Sequence, residues 1–233
     1  MILQSNSRIL FIGDSITDCE RKRPIGEGAF EQALGNGYVS LVDAALTATY
    51  PDRAIRVINM GVAGDTVRDL KVRWQTDVLD LHPDWLVVMI GINDVWQQFS
   101  RPWQTEHHVS LEEYTRTLDD LIQQVRPQLQ GLVLMTPYFL EPNQREPMRA
   151  SMDQYGAVVR ELAAQCHTLL IDTQAAFDHV LQWLHPMHLA SDRIHLNLTG
   201  HMILARALLQ GIGYTWEQPI CVDPTFDREA PAE

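Results

Sequence analysis

Five short apolar runs, separated by segments of helical periodicity, constrain this chain more than any other feature. They are Ile9 to Ile12, Arg56 to Met60, Trp85 to Ile90, Leu132 to Met135 and Leu169 to Asp172. Each is too short for a helix core and reads as a buried strand. Between them, apolar residues recur at three- and four-residue spacing. Tyr38, Leu41, Val42, Ala45 and Leu46 form one such set, and Val67, Leu70, Trp74 and Val78 a second. Tyr114, Leu118, Leu121, Ile122 and Val125 form a third, and Met152, Tyr155, Val159, Leu162 and Cys166 a fourth. Pro51 and Pro83 close the first two helices, and Ser110 with Glu113 predicts a capping box at the third. Further helices are predicted from Ala175 to Leu184 and from Gly200 to Leu209.

Strands alternating with helices predict a mostly parallel sheet covered on both faces, and right-handed crossovers limit its topology. The expected fold is a single-domain, three-layer α/β/α sandwich with a five-stranded parallel, flavodoxin-like doubly wound sheet. The stretch from Asp18 to Gly37 reads as a long loop, and a second long insertion, after Asn93-Asp94, holds Trp96, Phe99, Trp103, His107 and His108. The 233 residues suit one domain over 1–216. Residues 217–233 form an acidic, proline-containing tail, expected as an extended arm.

A net charge of -12 argues against nucleic acid and anionic membranes as partners and favours a neutral substrate. No apolar segment approaches the roughly 20 residues a bilayer span needs. Met1 to Arg8 lacks the basic flank and apolar run of a secretory leader. Cys19, Cys166 and Cys221 are odd in number and widely spaced, as expected of reduced thiols in the cytoplasm. His107-His108 and His185-x-x-His188 do not match a helical His-x-x-x-His pair, and Gly61-x-x-Gly64 lacks the rest of a dinucleotide fingerprint. No metal and no cofactor are therefore expected.

The chemistry is carried by the ends of the runs. The first stops abruptly at Gly13-Asp14-Ser15, where a glycine permits a sharp turn. The second leads to Gly64-Asp65, the third to Gly91-Ile92-Asn93-Asp94, and Asp192-x-x-His195 follows the fifth. In a parallel sheet these loops open on one edge, where such folds place their ligands. Their residue types are those that acyl transfer needs. A serine hydroxyl attacks a carbonyl once an imidazole takes its proton, and a carboxylate holds that imidazole in the right tautomer. A glycine N–H and an asparagine amide can stabilise the oxyanion.

These four blocks, in this order, resemble the SGNH or GDSL hydrolases over the chain to about Trp216. The resemblance implies Ser15 as nucleophile, His195 as general base and acid, and Asp192 as the orienting carboxylate. It also implies an oxyanion hole of the Ser15 N–H, the Gly64 N–H and the Asn93 side chain. The first block reads Gly-Asp-Ser-Ile rather than Gly-Asp-Ser-Leu, and no Gly-x-Ser-x-Gly elbow of the ordinary α/β-hydrolases occurs. Within the family the chain is similar to intracellular bacterial acetyl-xylan esterases, in stretches such as Met-Ile-Gly-Ile-Asn-Asp-Val-Trp. This likeness implies an acetylated oligosaccharide substrate and a homo-oligomer. Where those enzymes commonly have Asp-Arg-x-His-Pro, this chain has Asp-Arg-Ile-His-Leu.

Asp14, Trp96, Trp103 and Trp183 are candidate substrate contacts. Beside that reading, Asp14 and Asp94 suit turn residues bonding their own loop backbone, and the tryptophans suit an interface or core. His201 reads as a helix-face residue. Two other functions stand beside a carbohydrate esterase. One is a general short-chain esterase, thioesterase or lysophospholipase with the same chemistry; the other is a non-catalytic sugar-binding protein.

Overall fold

The computed structural model describes residues 1–28 and 32–216; the tail at 217–233, and with it Cys221, lies outside the described residues. At its centre is β1 (Arg8–Gly13), in which every residue after Arg8 is buried. Beside it runs β4 (Trp85–Met89), buried along its whole length. The other strands are β2 (Gly26–Glu27), β3 (Arg56–Asn59), β5 (Gly131–Met135) and β6 (Leu169–Ile171). The sheet order is β2-β3-β1-β4-β5-β6. All five expected strands are present, mutually parallel and in unbroken register, with Leu10 opposite both Ile58 and Leu86.

Among the described residues the sheet is nevertheless six-stranded and mixed, not five-stranded and parallel. The added strand, β2, lies within the stretch read as loop and pairs antiparallel to β3 through Gly26 with Asn59 and Glu27 with Ile58. Two residues carry neither an apolar run nor an alternation, so nothing in the local sequence marks them as strand. They pair because the chain folds back along the open edge of β3.

Among the described residues, eight α-helices connect and cover the strands: α1 (Ser15–Asp18), α2 (Tyr38–Thr49), α3 (Val67–Trp74), α4 (Ile92–Ser100), α5 (Leu111–Val125), α6 (Pro147–Gln165), α7 (Thr173–Val180) and α8 (Leu198–Gly211). Helix α2 packs on α8, while α5 packs on both α3 and α6. One continuous core results, to which each fully buried aliphatic side chain contributes about 1.5–3 kcal/mol.

The insertion after Asn93 begins as a helix, because Ile92 and Val95 bury one face while Trp96 and Phe99 remain exposed. Two buried apolar residues in nine are too few to reveal the period. At α5, Ser110 accepts from the Glu113 N–H as expected, but the Glu113 carboxylate turns away to pair with Arg68 at 2.5 Å. The reciprocal capping box occurs instead at α3, between Thr66 and Asp69. No described helix is long and apolar enough to cross a membrane.

The chain leaves β1 first toward β3 and later returns past it to β4, on the other side. The crevice beyond the carboxyl end of β1 is therefore the point where the winding reverses, and Ser15 begins the helix that starts there.

Candidate active site

Gly13 ends β1 flush against β4: a Cβ on it would collide with the Met89 carbonyl oxygen. Asp14 then caps α1, its carboxylate accepting the Ile16 N–H at 3.0 Å. Ser15 is the first residue of the helix, where an N–H has no intrahelical acceptor. Its Oγ–H donates to His195 Nε2 at 3.0 Å, and His195 Nδ1–H donates to Asp192 Oδ2 at 2.6 Å. The other oxygen of Asp192 accepts the N–H groups of Ile194 and His195, at 2.9 and 2.8 Å. Arg193 adopts a φ of 65° within this tight turn, which brings the carboxylate and imidazole to one side.

Protonation follows from these contacts. A carboxylate only accepts, so the Asp192 contact places the imidazole proton on Nδ1 and leaves Nε2 free to accept from Ser15. Burial pushes the Asp192 carboxyl up, but the hydrogen bonds from the His195 ring and the two backbone N–H groups outweigh it. The net value lies below the usual carboxylate range, so Asp192 stays ionised. This geometry can transfer the Ser15 proton to His195 and stabilise the imidazolium that forms.

The second and third blocks are joined by one contact: Asn93 Nδ2 donates to the Asp65 carbonyl at 2.9 Å. That uses one amide hydrogen, and the other has no partner among the described residues. The Val62 N–H donates to the Gly13 carbonyl at 3.0 Å and ties the glycine loop to the nucleophile turn. Gly64 has a φ of +88°, and a Cβ on it would meet nothing within 4 Å. Its exposed face is open to a ligand, and only glycine holds that backbone without strain.

The four aromatic and acidic candidates separate. Trp96 lies one turn after Asn93 on α4, and its ring meets that of His195 edge-on, with centroids 6.2 Å apart. Trp103 and Trp183 are 75% and 81% exposed and make no such contact with His195. Asp14 is buried beneath the site rather than lining it. Asp94, expected to bond its own loop, reaches across to the Val67 N–H at the start of α3. His201 has a larger role than its sequence suggests. The Tyr38 N–H donates to its Nδ1 at 3.3 Å, so its proton sits on Nε2 and faces Cys19 Sγ at 3.3 Å. Burial lowers its pKa to about 4, so it stays neutral and fastens α8 to α1 and α2. Among the described residues, no three His, Cys, Asp or Glu side chains are arranged to hold a metal ion.

Two buried carboxyls beneath the site make stability depend on pH. Burial raises Asp14 to about 7, and Asp94 adds to that shift; burial likewise raises Asp94 to about 7. A folded value above the unfolded one means that the folded protein holds the proton more tightly. The associated stability is present below the unfolded value of 3.8 and is lost as pH rises through about 7. Asp14→Asn keeps an acceptor for the Ile16 N–H and removes the charge. The fall in Tm from about pH 5 to about pH 8 is expected to be smaller in this variant than in wild type. An equal fall in both proteins excludes Asp14 as a source.

Residues 11–203 match the GDSL-like Lipase/Acylhydrolase family. An acetylxylan esterase of Geobacillus stearothermophilus is 53% identical over 216 residues, covering 93% of this chain and 98% of that protein. The crystal structure of Axe2, an acetylxylan esterase from Geobacillus stearothermophilus, has a TM-score of 0.91 at 53% identity, over 93% of this chain and 98% of that one. LAE5, an α/β hydrolase enzyme from the metagenome of Lake Arreo, Spain, has a TM-score of 0.89 at 49% identity, over 91% and 98% of the two chains. The chain belongs to the GDSL-like lipase/acylhydrolase family.

Proposed function

We propose that this protein is a serine carbohydrate esterase that removes O-acetyl groups from xylo-oligosaccharides or similar acetylated sugars. The observation that carries this reading is the chain Ser15–His195–Asp192, with links of 3.0 and 2.6 Å. The 53% identity to an acetylxylan esterase over nearly the whole chain supports the substrate.

In the proposed reaction, His195 Nε2 takes the Ser15 proton as Oγ attacks the acetyl carbonyl. The oxyanion is held by the Ser15 N–H, the Gly64 N–H and the free hydrogen of the Asn93 amide. The sugar oxygen leaves with the proton from His195, and the acetyl group remains on Ser15. Water, deprotonated by His195, then attacks the acetyl-enzyme; acetate leaves and the proton returns to Ser15. Trp96 stands beside the imidazole as the wall on which the sugar or the acetyl methyl rests. Trp103 and Trp183 are outer sugar contacts in this reading, and Asp14 acts from below by capping α1.

The protein is further proposed to be cytoplasmic, a placement that the free thiols of Cys19 and Cys166 favour. Residues 1–216 form its one domain, with 217–233 as a tail. Its net charge of -12 disfavours nucleic acid as a partner. Exposed Met187 and Trp216 provide apolar surface for a second copy, and sedimentation velocity should find more than a monomer; a lone monomer removes that assignment.

A series of acyl lengths on one leaving group tests the substrate class. kcat/KM should be highest for acetyl and fall by at least about tenfold by octanoyl. A preference that rises with length supports the thioesterase or lysophospholipase alternative instead.

A further inference from the structure

Arg73, on the inner side of α3, has no place in the reaction above, yet its guanidinium reaches three parts of the site. Nε donates to the Asp65 carboxylate at 2.6 Å. Nη2 donates to the Gly13 carbonyl at 3.0 Å. Nη1 donates to the Met60 carbonyl at 2.5 Å and to Asp77 at 3.0 Å. The side chain is only 14% exposed, and four of its five N–H groups are engaged. Two acceptors are the carbonyls at the ends of β1 and β3, and a third is the carboxylate of the residue after Gly64.

Two of these acceptors, Gly13 and Asp65, lie next to or near a proposed oxyanion donor in the chain. Gly13 stands two residues before Ser15. Asp65 follows Gly64 directly, and its own carbonyl holds the Asn93 amide at 2.9 Å. We infer that Arg73 is a positioning residue for the oxyanion hole, a planar clamp that sets the Ser15 N–H, the Gly64 N–H and the Asn93 amide relative to one another. This rests on the esterase reading and adds to it a support outside the substrate's reach. The fork geometry matters, because a lysine ammonium is a point donor on a shorter reach and cannot span acceptors on both strands and Asp65. Misplacing reacting groups by about 1 Å can cost about 10² in rate.

The test compares wild type, Arg73→Lys, Arg73→Gln, Asp65→Asn, Asn93→Ala and the double variant Arg73→Lys/Asn93→Ala on one acetyl ester. Active sites are counted by an organophosphonate that labels Ser15, so a partly unfolded sample does not pass for a slow enzyme. Arg73→Lys should lower kcat per site by about 10- to 100-fold with KM changed less than about twofold. Asn93→Ala should lower it by about 10² to 10³. In the double variant the two losses should fall short of their product by at least about threefold, because both act on the same hole. A merely structural arginine would lower Tm without this coupling. Should Arg73→Gln fail to fold, Asp65→Asn keeps the carbonyl that holds Asn93 while weakening the clamp, and a loss of about tenfold is expected there.

Unchanged kcat in Arg73→Lys and Asp65→Asn, or losses that multiply fully with Asn93→Ala, overturns the inference and leaves the esterase reading standing. A wild-type protein that releases no acetate removes both together.

Discussion

Replacing Ser15 with alanine is expected to lower kcat on an acetyl ester by about 10⁶, the loss seen when a serine nucleophile is removed from such a unit. The fold should not change with it. Among the described residues the Ser15 hydroxyl has one side-chain partner, His195, at 3.0 Å, and the helix it begins is capped by Asp14, not by Ser15. Tm should therefore stay close to the wild-type value, since a change at a partly exposed site away from caps costs within about 0.5 kcal/mol. Kinetics on active protein and a thermal melt check both halves. A variant that keeps more than about 1% of wild-type kcat would mean that another group supplies the nucleophile.

Asp192→Asn should cost about 10⁴ in kcat, and the geometry gives a specific reason. In the native protein Oδ1 of Asp192 accepts two backbone N–H groups, from Ile194 and His195, while Oδ2 faces the imidazole. An asparagine must keep its oxygen toward those two donors, which turns its NH₂ toward His195 Nδ1. The imidazole proton then moves to Nε2, where it blocks acceptance from Ser15. Burial of the triad changes little in such a variant, so the loss should appear in kcat with Tm nearly retained. A loss below about tenfold would mean that Asp192 does not set the tautomer.

Much of this arrangement is legible in the sequence, and the part that is not has a physical cause. Strands β1 and β4 stand out because they are buried on both faces and therefore read as unbroken apolar runs. The residues at their carboxyl ends are conspicuous for the opposite reason: Ser15 and Asn93 are polar groups placed directly after such runs. Features that depend on distant contacts leave no local mark. β2 exists only through its pairing with β3, and α4 buries too few apolar residues to display its period. Arg73 sits in an ordinary helical segment, and its importance lies in carbonyls that are 13 and 60 residues away. His201 likewise looks like any helix-face residue until α8 packs against α1 and α2, where its ring accepts the Tyr38 N–H and faces the Cys19 thiol. The partner that Asp94 finds beyond its own turn, the Val67 N–H at the start of α3, is equally unmarked in the sequence. Long-range hydrogen bonds are made by the fold rather than by sequence neighbours, so spacing alone does not reveal them.

The clamp and the triad also divide the site by rigidity. The proposed oxyanion side rests on buried groups, with Asp14 capping α1 and Asp94 holding the first N–H of α3. The acid–base side, Asp192 and His195, lies in an exposed turn and is held chiefly by its own hydrogen bonds. Preorganised donors on a stiff frame suit oxyanion stabilisation, because they need not reorient as charge develops. An exposed imidazole suits the other task, since the sugar alcohol and the incoming water must both reach it.

The most direct test of the central claim is acetate release from acetylated xylo-oligosaccharides, measured for wild type and Ser15→Ala side by side at equal concentrations of folded protein. The triad and its relatives lead us to expect steady acetate release by wild type and none above background from the variant. Acetate released equally by both proteins, or by neither while a longer acyl ester is cleaved, would contradict a serine esterase of acetylated sugars.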